Sequence, residues 1–419
     1  MIRIAAFLYL LQGTTVTLGP GGGLAQAIRR AGPGGVVLLE PGTYTPGPIA
    51  IDPSSAGGTL RARPGARARI DFGGRGGFYI RAEKYTLRDL DILNAQNFAV
   101  DIDASDCTVE GCRVLGSGGD AIKLSPGPWP SRRYHRGAAI VGCEISGNRQ
   151  FEGIDGVGHD DVRILGCYIH DTPGWGVYLK GGAARGLIEG CVFERCGTLE
   201  NNPAGGACLG EHTGPDAIMT NKHGEPWESV DGTVRNCLFI DIPGAALAAW
   251  CARGAKFHNN TVVGAAAKDR ASVIVLGNHN LPCRDVEFVN NIIVGSKEGG
   301  RPLVWIYANG ASEGLVFEHN CYFGGNGKFW DQRAGGPVDF ETWKKAGRDG
   351  TSLFGDPGLD GNHRLAPGSP CIGRGRVLAG FATDIDGGRR DGEWDIGADE
   401  FGAGVPRRYP GRPEKGTGP

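Results

Sequence analysis

The chain has 419 residues, with 44 basic against 46 acidic side chains and 40% hydrophobic residues. This balance gives no net field to attract nucleic acid or a membrane surface. No run approaches the ~18 apolar residues that a membrane span requires. Glycine (74 residues) and proline (25 residues) are abundant without a collagen period, which predicts many tight turns between short buried strands.

The first residues combine a short basic head with an apolar stretch, as signal peptides do. Residues 1–16 are therefore predicted to be a signal peptide, which would make the protein secreted or periplasmic, and a first β-strand or an imperfect start site is the alternative. Residues 24–30 then show a helical pattern ended by glycine and proline, and residues 36–40 form an apolar, β-branched strand pattern.

A small residue, then Cys or Asn, then an alternating apolar strand recurs along the chain. The steps are 23–31 residues, with one longer step of 46, and the slots are Cys112, Cys143, Cys167, Cys191, Cys237, Asn260, Asn291 and Cys321. A period of this length indicates stacked supersecondary units. Because each unit contains short strands, glycine-rich turns and little helix, the pattern predicts an all-β fold, a parallel β-helix.

The Cys/Asn slot has a physical meaning in such a stack, whose coils lie ~4.8 Å apart. An inward Asn at a turn can hydrogen-bond to its neighbours above and below, and a buried Cys can fill the same slot as a small hydrophobe. The slot cysteines are therefore predicted to be ladder thiols. Four others lie off the ladder and could form disulfides if the protein is exported: Cys196, Cys208, Cys251 and Cys283.

Both ends of the chain resemble a known family. Residues 24–44, a helix and a strand ending in Pro-Gly-Thr-Tyr, resemble the opening of many right-handed parallel β-helices of the pectin-lyase-like superfamily. The motifs at 384–387 and 395–401 resemble the ending of many secreted bacterial β-helix proteins, including carbohydrate-active ones. The resemblance implies a short N-terminal capping helix and a C-terminal cap.

The resulting division of the chain has four parts. Residues 17–330 are predicted to be the β-helix with its N-terminal cap and an insertion at 197–230. Residues 331–404 are predicted to be a C-terminal capping segment, and residues 405–419 a disordered tail. The protein is expected to be a monomer. The insertion is expected on the working face, because long polar loops of a solenoid usually sit there.

A solenoid brings residues of successive coils together on one face. Because Cys167 and Cys191 are 24 residues apart, Asp155 and Lys180 are expected within about one residue of the same column, with Glu211 on the following coil. Alternation places Tyr178 outside as well. These residues and His212 are the predicted catalytic group. Substrate binding is predicted for basic and aromatic residues nearby: Lys123, Trp129, Arg132, Arg133, His159, Trp175 and Trp227.

Carboxylates, a lysine and aromatic rings on an open face suit an extended acidic polysaccharide. By resemblance to the polysaccharide lyases of this fold, Lys180 is the predicted base in β-elimination, and Tyr178 or His212 the proton donor. Ca²⁺ is the predicted cofactor that neutralises the uronate, with four candidate ligands: Asp155, Asp160, Asp161 and Glu211.

Three other functions remain open from the sequence. A glycoside hydrolase would use paired carboxylates, such as Asp155 with Asp160, Asp161 or Glu211. The full set of polygalacturonase motifs is missing, and so is the Asp-Pro-His motif of uronate epimerases, although an epimerase shares most steps with a lyase. A non-catalytic carbohydrate-binding or surface β-helix is also open, because fold does not determine function.

Overall fold

The computed structural model describes residues 13–127, 133–200, 204–211, 213, 227–268, 272–277, 282–308 and 312–413. Within these ranges the chain winds through three long sheets in a repeating order, and each strand pairs in parallel with its equivalents in the coils before and after it. The protein is a right-handed parallel β-helix, as the sequence predicts.

The strands alternate inward apolar and outward polar side chains, and the inward side chains form one continuous core. In the described ranges, sheet 1 contains Thr15–Leu18, Val36–Leu39, Thr59–Ala62, Thr86–Arg88, Thr108–Glu110, Ala139–Val141, Arg163–Leu165, Leu187–Glu189, Thr233–Arg235, Lys256–His258, Glu287–Val289 and Val316–Glu318. Sheet 2 contains Gly42–Tyr44, Ala68–Asp71, Leu90–Leu93, Arg113–Leu115, Glu144–Ser146, Tyr168–His170, Val192–Glu194, Leu238–Ile240, Thr261–Ala265, Ile292–Gly295, Cys321–Gly324 and Leu353–Phe354.

Sheet 3 presents the face on which the candidate site lies. Among the described residues it contains Ile49–Ile51, Phe78–Ile80, Val100–Ile102, Ile122–Leu124, Ile154–Val157, Val177–Lys180, Ala207–Gly210, Leu247–Trp250, Ile274–Leu276, Val304–Ile306 and Phe329–Asp331. Shorter parallel strands flank the end of sheet 3 at His135–Arg136, His159–Asp160, Ala183–Ala184, Ser229–Val230 and Ala252–Arg253.

Helices close the two ends of the stack. Helix α1 (Leu24–Ala31) buries one apolar face against the first coil, which covers the open core there. Helix α2 (Phe340–Lys345) begins at Asp339, whose side chain accepts a hydrogen bond from the Thr342 N–H at 2.9 Å. Phe340 and Trp343 of α2 pack on Phe329, so aromatic rings cover the second end.

The ladder slot contains thiols in the N-terminal coils and amides in the C-terminal coils. The Cys112, Cys143, Cys167, Cys191 and Cys237 side chains are fully buried. Further on, Asn260 donates to Asn291 at 3.0 Å, and Asn291 donates to Asn320 at 3.0 Å. The last slot residue is therefore Asn320. The prediction of Cys321 was wrong by one residue, since Cys321 pairs with Ile292 in sheet 2.

All twelve cysteines are buried and none is joined in a disulfide, so the structure does not contain the disulfides considered for Cys196, Cys208, Cys251 and Cys283. The predicted signal peptide falls mostly outside the described residues, which begin at residue 13. Its predicted end at residue 16 divides the strand Thr15–Leu18, which pairs along its length with Val36–Leu39. The apolar stretch before it lies outside the described residues, so the signal peptide stays a prediction.

The C-terminal strap (residues 356–413) runs back along the outside of the stack. The residue before each slot has a left-handed φ: it is glycine in the earlier coils, asparagine in the next three (Asn236, Asn259 and Asn290) and His319 in the last. Asn236, Asn259 and Asn290 use this position to donate to strap carbonyls, at 2.7 Å for Thr383 and 3.1 Å for Gly397 in the first two cases.

Two features of the strap correct the sequence interpretation. It covers the side of several coils, whereas an end cap was predicted for residues 331–404; in the described part of the chain, the end is covered by α2. Residues 405–413 belong to the strap and are ordered against the stack: Tyr409 is buried and its hydroxyl donates to the Gly190 carbonyl at 2.9 Å. The rest of the predicted disordered tail, 414–419, lies outside the described residues.

Candidate functional site

One outward column of sheet 3 is charged. Asp101, Lys123, Asp155 and Tyr178 are aligned as direct partners in successive coils, and the next partner is Cys208. Lys123 contacts the Asp155 carboxylate, so two oppositely charged side chains lie directly across neighbouring strands. Burial lowers the pKa of Lys123, against the opposing effect of the nearby Asp120 carboxylate.

A second column lies at the turn just before the same strands. Asp120 and Glu152 each precede a sheet 3 strand by two residues, and the Glu152 backbone N–H donates to Asp120 Oδ1 at 2.9 Å. Burial, and then the charge of Asp120 and a hydrogen bond to it, raise the pKa of Glu152 to about 8. A carboxyl group in this position keeps its proton at neutral pH and can act as an acid.

Lys180 contacts both the outward column and the insertion. Its ammonium contacts the Tyr178 hydroxyl and lies 3.1 Å from Glu211 Oε2. Burial, followed by the charges of Glu152 and Glu211, raises the pKa of Tyr178 well above its usual value. The phenol therefore keeps its proton. We call these eight residues the acid–base cluster: Asp101, Asp120, Lys123, Glu152, Asp155, Tyr178, Lys180 and Glu211.

The register of the column differs from the predicted one. Asp155 pairs with Tyr178, and Lys180 pairs with Val157, two residues further along the strand. The spacing of the ladder slots predicts which coil a residue belongs to. It does not predict which residues pair in sheet 3, because the turns between slot and strand differ in length. The predicted catalytic residues Asp155, Tyr178, Lys180 and Glu211 nevertheless lie in the cluster, while His212 lies outside the described residues.

The four predicted metal ligands do not converge. Asp155 contacts Lys123, Glu211 pairs with Lys180, and Asp161 pairs with Arg185 at 2.7 Å. Asp160 accepts a hydrogen bond from the Ala184 N–H at 2.9 Å. Since these carboxylates have partners at different places, they do not fit a common cation. Among the described residues these four carboxylates do not form one common site, and Ca²⁺ as the cofactor stays a prediction.

A different carboxylate group has oxygens close enough for an ion. Within the described part of the chain, Asp384, Asp386 and Asp399 are the one group of three whose oxygens lie within 4.8 Å of one another. Arg364 lies 2.7 Å from Asp386 and already supplies a positive charge there. This group belongs to the C-terminal strap and is separate from the acid–base cluster in sequence and structure.

The rings predicted to stack on sugars are not exposed. Trp175 is 2% exposed and packs edge-on to Trp250 in an apolar cluster outside the core, with centroids 5.5 Å apart. Trp227 is 8% exposed and packs against Ala184 and Val230. The prediction that Trp175 and Trp227 are exposed rings that stack on sugars was therefore wrong, because the outward face of the later coils is covered.

The remaining predicted binding residues are dispersed. His159 is fully buried, and its ring nitrogen Nε2 lies 3.0 Å from the Ser125 carbonyl oxygen, so it has a structural role and was wrong as a ligand contact. Arg133 is exposed, and its backbone N–H binds the Pro126 carbonyl. Lys123 lies within the cluster. Trp129 and Arg132 fall outside the described residues.

Sequence reasoning missed Asp120, Glu152 and Asp101. The signal was present, since Asp120 and Glu152 stand at the same offset before consecutive sheet 3 strands, and equivalent turn residues stack as strand residues do. A search restricted to outward strand positions does not find them. Asp101 lies one coil before Lys123 on the same outward column.

Comparison with known proteins agrees with this architecture. The family described as a right handed beta helix region matches residues 76–321, more than half of the chain. The chain therefore belongs to the right-handed β-helix family. A search of curated protein sequences gave no match.

Two solved structures illustrate the similarity. PfbA, a surface adhesin of Streptococcus pneumoniae, is 13% identical, with 78% of this chain and 94% of that chain covered and a TM-score of 0.53. The pectate lyase Pel9A is 14% identical, with 92% of this chain and 96% of that chain covered and a TM-score of 0.50. At this identity the likeness establishes the fold alone. No described helix is long and apolar enough to cross a membrane.

Proposed function

We propose that the acid–base cluster is the active site of a polysaccharide-cleaving enzyme, and that the reaction is hydrolysis of a glycosidic bond. The observation that carries the proposal is the Glu152–Asp120 pair, which keeps a proton on a carboxyl group beside a second, ion-paired carboxylate, Glu211. Glycosidases need one protonated and one ionised carboxyl group flanking the scissile bond.

The first step is proton donation to the glycosidic oxygen. Glu152 is the proton donor, because burial and Asp120 hold its proton through neutral pH. Asp120 touches Glu152 and acts by setting its proton affinity, so it is a positioning residue. Loss of the proton leaves a negative charge beside Asp120, which favours recapture of a proton at the end of the cycle.

The second carboxylate is Glu211. The ammonium of Lys180 holds Glu211 as an ion pair at the edge of sheet 3, where its side chain is 28% exposed. Glu211 either attacks the sugar directly or activates a water molecule, and the anomeric configuration of the first product distinguishes these two routes. Tyr178, whose raised pKa keeps its hydroxyl protonated, can donate a hydrogen bond to the sugar.

Charge supports an uncharged sugar at the cleavage point. The cluster contains five carboxyl groups and two ammonium groups. Even with protons on Asp101 and Glu152, whose pKa values are raised by burial, three carboxylates face two ammonium ions. A uronate would add a further negative charge at short range, which is unfavourable in a partly buried site.

The deciding experiment is incubation with a panel of neutral and acidic polysaccharides, followed by assays for new reducing ends and for ultraviolet absorbance. We expect new reducing ends without absorbance, and their loss in Glu152→Gln. Glu341→Gln, which changes an exposed glutamate on α2, is the matched control and should keep full activity. Binding without any product would contradict hydrolysis and favour a non-catalytic function.

β-Elimination of an acidic polysaccharide, the reaction predicted from the sequence, is the second candidate. The contact between Lys180 and the Tyr178 hydroxyl specifically favours it, because a phenol that keeps its proton can protonate the leaving oxygen. Lys180 would then have to accept a proton while paired with Glu211. A rise in absorbance from the conjugated product, abolished in Tyr178→Phe, would establish elimination and overturn hydrolysis.

Both candidate reactions act on polymers that do not cross membranes. The proposal therefore includes export, with the protein acting as a monomer outside the cytoplasm, in agreement with the signal-peptide prediction. Cell fractionation with an antibody against the protein tests the location, and recovery in the cytoplasm alone would contradict it. Light scattering of the purified protein tests the oligomeric state, and a stable dimer would contradict a monomer.

A further inference from the structure

An exposed aromatic ring stands directly before the proposed proton donor, Glu152. The residue is Phe151, which is 53% exposed. Its φ is 63°, in the left-handed region that a bulky side chain rarely adopts. Exposure forgoes the stability that burial of an apolar ring would contribute, and the left-handed backbone adds strain. Neither feature stabilises the fold, and such strain is commonly found at functional sites.

The turn that contains Phe151 is one residue longer than the equivalent turns of the neighbouring coils. In those turns the Ser117 and Thr172 hydroxyls each donate to the carbonyl two residues later, and the sheet 3 strand begins five residues after them. The corresponding residue before Phe151 is Asn148, and here the strand begins six residues later. The buried Asn148 amide also donates to the carbonyls of Phe151 at 3.1 Å and Glu152 at 3.2 Å. These hydrogen bonds hold the longer turn in one conformation.

The turn of the next coil carries no side chain beside the Glu152 carboxyl. Gly174 stands three residues before its sheet 3 strand, as Phe151 does, and its N–H donates to the Phe151 carbonyl at 2.8 Å. A Cβ at Gly174 would lie 2.8 Å from Glu152 Oε1. The carboxyl therefore lies over the Gly174 Cα, in room that any side chain at this position would fill.

An exposed phenyl ring beside carboxyl groups suits the face of a neutral sugar. A pyranose ring has an apolar face of C–H bonds, which packs well on the electron-rich face of an aromatic ring. Binding sites commonly combine such apolar surfaces with a few polar groups that orient the ligand. Because the side chain of Phe151 has no polar atom, it can hold a sugar by packing alone. The carboxyl groups of Asp120 and Glu152 lie in the same turns and disfavour a charged uronate.

We propose that Phe151 is the stacking residue of a sugar subsite next to Glu152, and that this subsite takes an uncharged pyranose unit of the polysaccharide. The inference rests on the proposed function, because it assigns the ring to the substrate of the same site. The Asn148 amide holds the turn in place before the substrate arrives, so little conformational freedom is lost when the sugar binds. Phe151 thus takes the role that the buried Trp175 and Trp227 cannot fill.

The test compares variants of the full-length protein on the polysaccharide that gives new reducing ends. Phe151→Asn removes the ring and tolerates the left-handed φ. We expect KM to rise about tenfold with kcat little changed, because the ring packs on the sugar in the ground and transition states alike. The Tm should equal or exceed that of the wild type, since strain is relieved and no buried contact is lost. Phe151→Tyr, which keeps the ring, should retain the wild-type KM.

The matched control is Phe401→Asn, which removes a phenylalanine of the C-terminal strap that is 43% exposed. It should leave KM and kcat unchanged. An unchanged KM in Phe151→Asn would overturn the proposal, and so would a Tm several degrees below that of the wild type. Equal losses in kcat and kcat/KM would also overturn it, because they would show that Phe151 positions Glu152 and does not bind the sugar.

Affinity electrophoresis separates this inference from the proposed function, because retardation in a gel does not require cleavage. The gels contain soluble neutral glucan, galactan, mannan or xylan. Retardation of the wild type that is lost in Phe151→Asn and kept in Phe401→Asn would support the stacking role even if no polymer is cleaved. Retardation that is equal in the wild type and Phe151→Asn, or absent from the wild type, would overturn it.

Discussion

The ammonium of Lys180 lies 3.1 Å from Oε2 of Glu211, although the two residues are 31 positions apart and belong to successive coils. Lys180 is the last residue of a sheet 3 strand, and Glu211 directly follows the next strand. Their side chains are 14% and 28% exposed, so the attraction between them is less screened than in a surface pair. The ion pair thus holds the entry of the insertion against the cluster.

A double-mutant cycle measures this coupling. For Lys180→Met, Glu211→Gln and the double variant, we expect a coupling in the free energy of unfolding of about 1 kcal/mol, since the pair is partly buried. Urea unfolding at neutral pH provides the values. A coupling near zero, or one unaffected by high salt and by pH, would show that the two side chains are independent.

The pH dependence of activity depends on Asp120. Because Glu152 has a pKa of about 8, the basic limb of kcat/KM against pH should fall near that value in the wild type. In Asp120→Asn the negative charge that raises this pKa is lost, so the limb should move to lower pH. Asp241→Asn, at an exposed turn with a left-handed φ that Asn also adopts, is the control. An unchanged limb in Asp120→Asn would remove Glu152 as the acid.

Stability should also depend on Glu152. Its pKa is raised in the folded state, so between the usual glutamate pKa and about 8 the folded state holds a proton that the unfolded state has released. The contribution of Glu152 to the free energy of unfolding is therefore present at low pH and is lost as pH rises through this window. Glu152→Gln should flatten that slope. Denaturant unfolding at several pH values checks it, and parallel slopes would contradict the assignment.

Glu228 anchors the two ends of the segment that contains Glu211. Its buried carboxylate accepts from the Gly181 N–H at 2.7 Å and from the Thr213 N–H at 2.8 Å. Because these residues follow Lys180 and Glu211, we expect Glu228→Ala to lower kcat more than tenfold and to cost about 3 kcal/mol of unfolding free energy.

Glu228→Gln keeps one acceptor oxygen and should restore part of both losses, whereas Glu341→Gln should change neither. Steady-state kinetics and urea unfolding provide the measurements. Full activity of a folded Glu228→Ala would show that this anchor does not position the ion pair.

The two ladder types should respond differently to alanine. The Asn291 amide donates to Phe257 O at 2.9 Å and accepts from the Asn260 N–H at 3.1 Å. Asn291→Ala therefore leaves buried polar groups without hydrogen-bond partners. We expect a cost of about 3 kcal/mol or more for it. Cys167→Ala removes only a small apolar side chain, at about 1–2 kcal/mol. Thermal or urea unfolding measures both variants, and equal losses of unfolding free energy would contradict this difference between the Asn and Cys slots.

The fold could be predicted because its signal is repeated in every coil. The slot residues from Cys112 to Asn291 recur at coil length, and the alternating strands after them have one inward and one outward face. The slot was placed one position too late at Cys321, because Asn320 and Cys321 are neighbours and both are residue types that occupy the slot in other coils. Side-chain chemistry alone does not distinguish them, whereas the register of sheet 2 does.

The site could be predicted only in part. Tyr178 and Lys180 were found because they stand on outward positions of a strand with known spacing, and Glu211 because it directly follows the equivalent strand of the next coil. The burial of Trp175 and Trp227 could not be predicted, since it depends on apolar packing outside the core. Asp120 was missed because turn lengths between slot and strand vary, which hides the column that turn residues form with Glu152.

The C-terminal strap has a consequence for how the stack unfolds. In a simple solenoid each coil contacts only its neighbours, so terminal coils can fray one at a time. Here one segment binds coils from Asn290 back to Gly190, through Arg376 and Tyr409 among others. Release of any of these coils requires release of the shared segment. The later half of the stack should therefore unfold as one cooperative block, and coil-by-coil fraying should begin only on the N-terminal side of it.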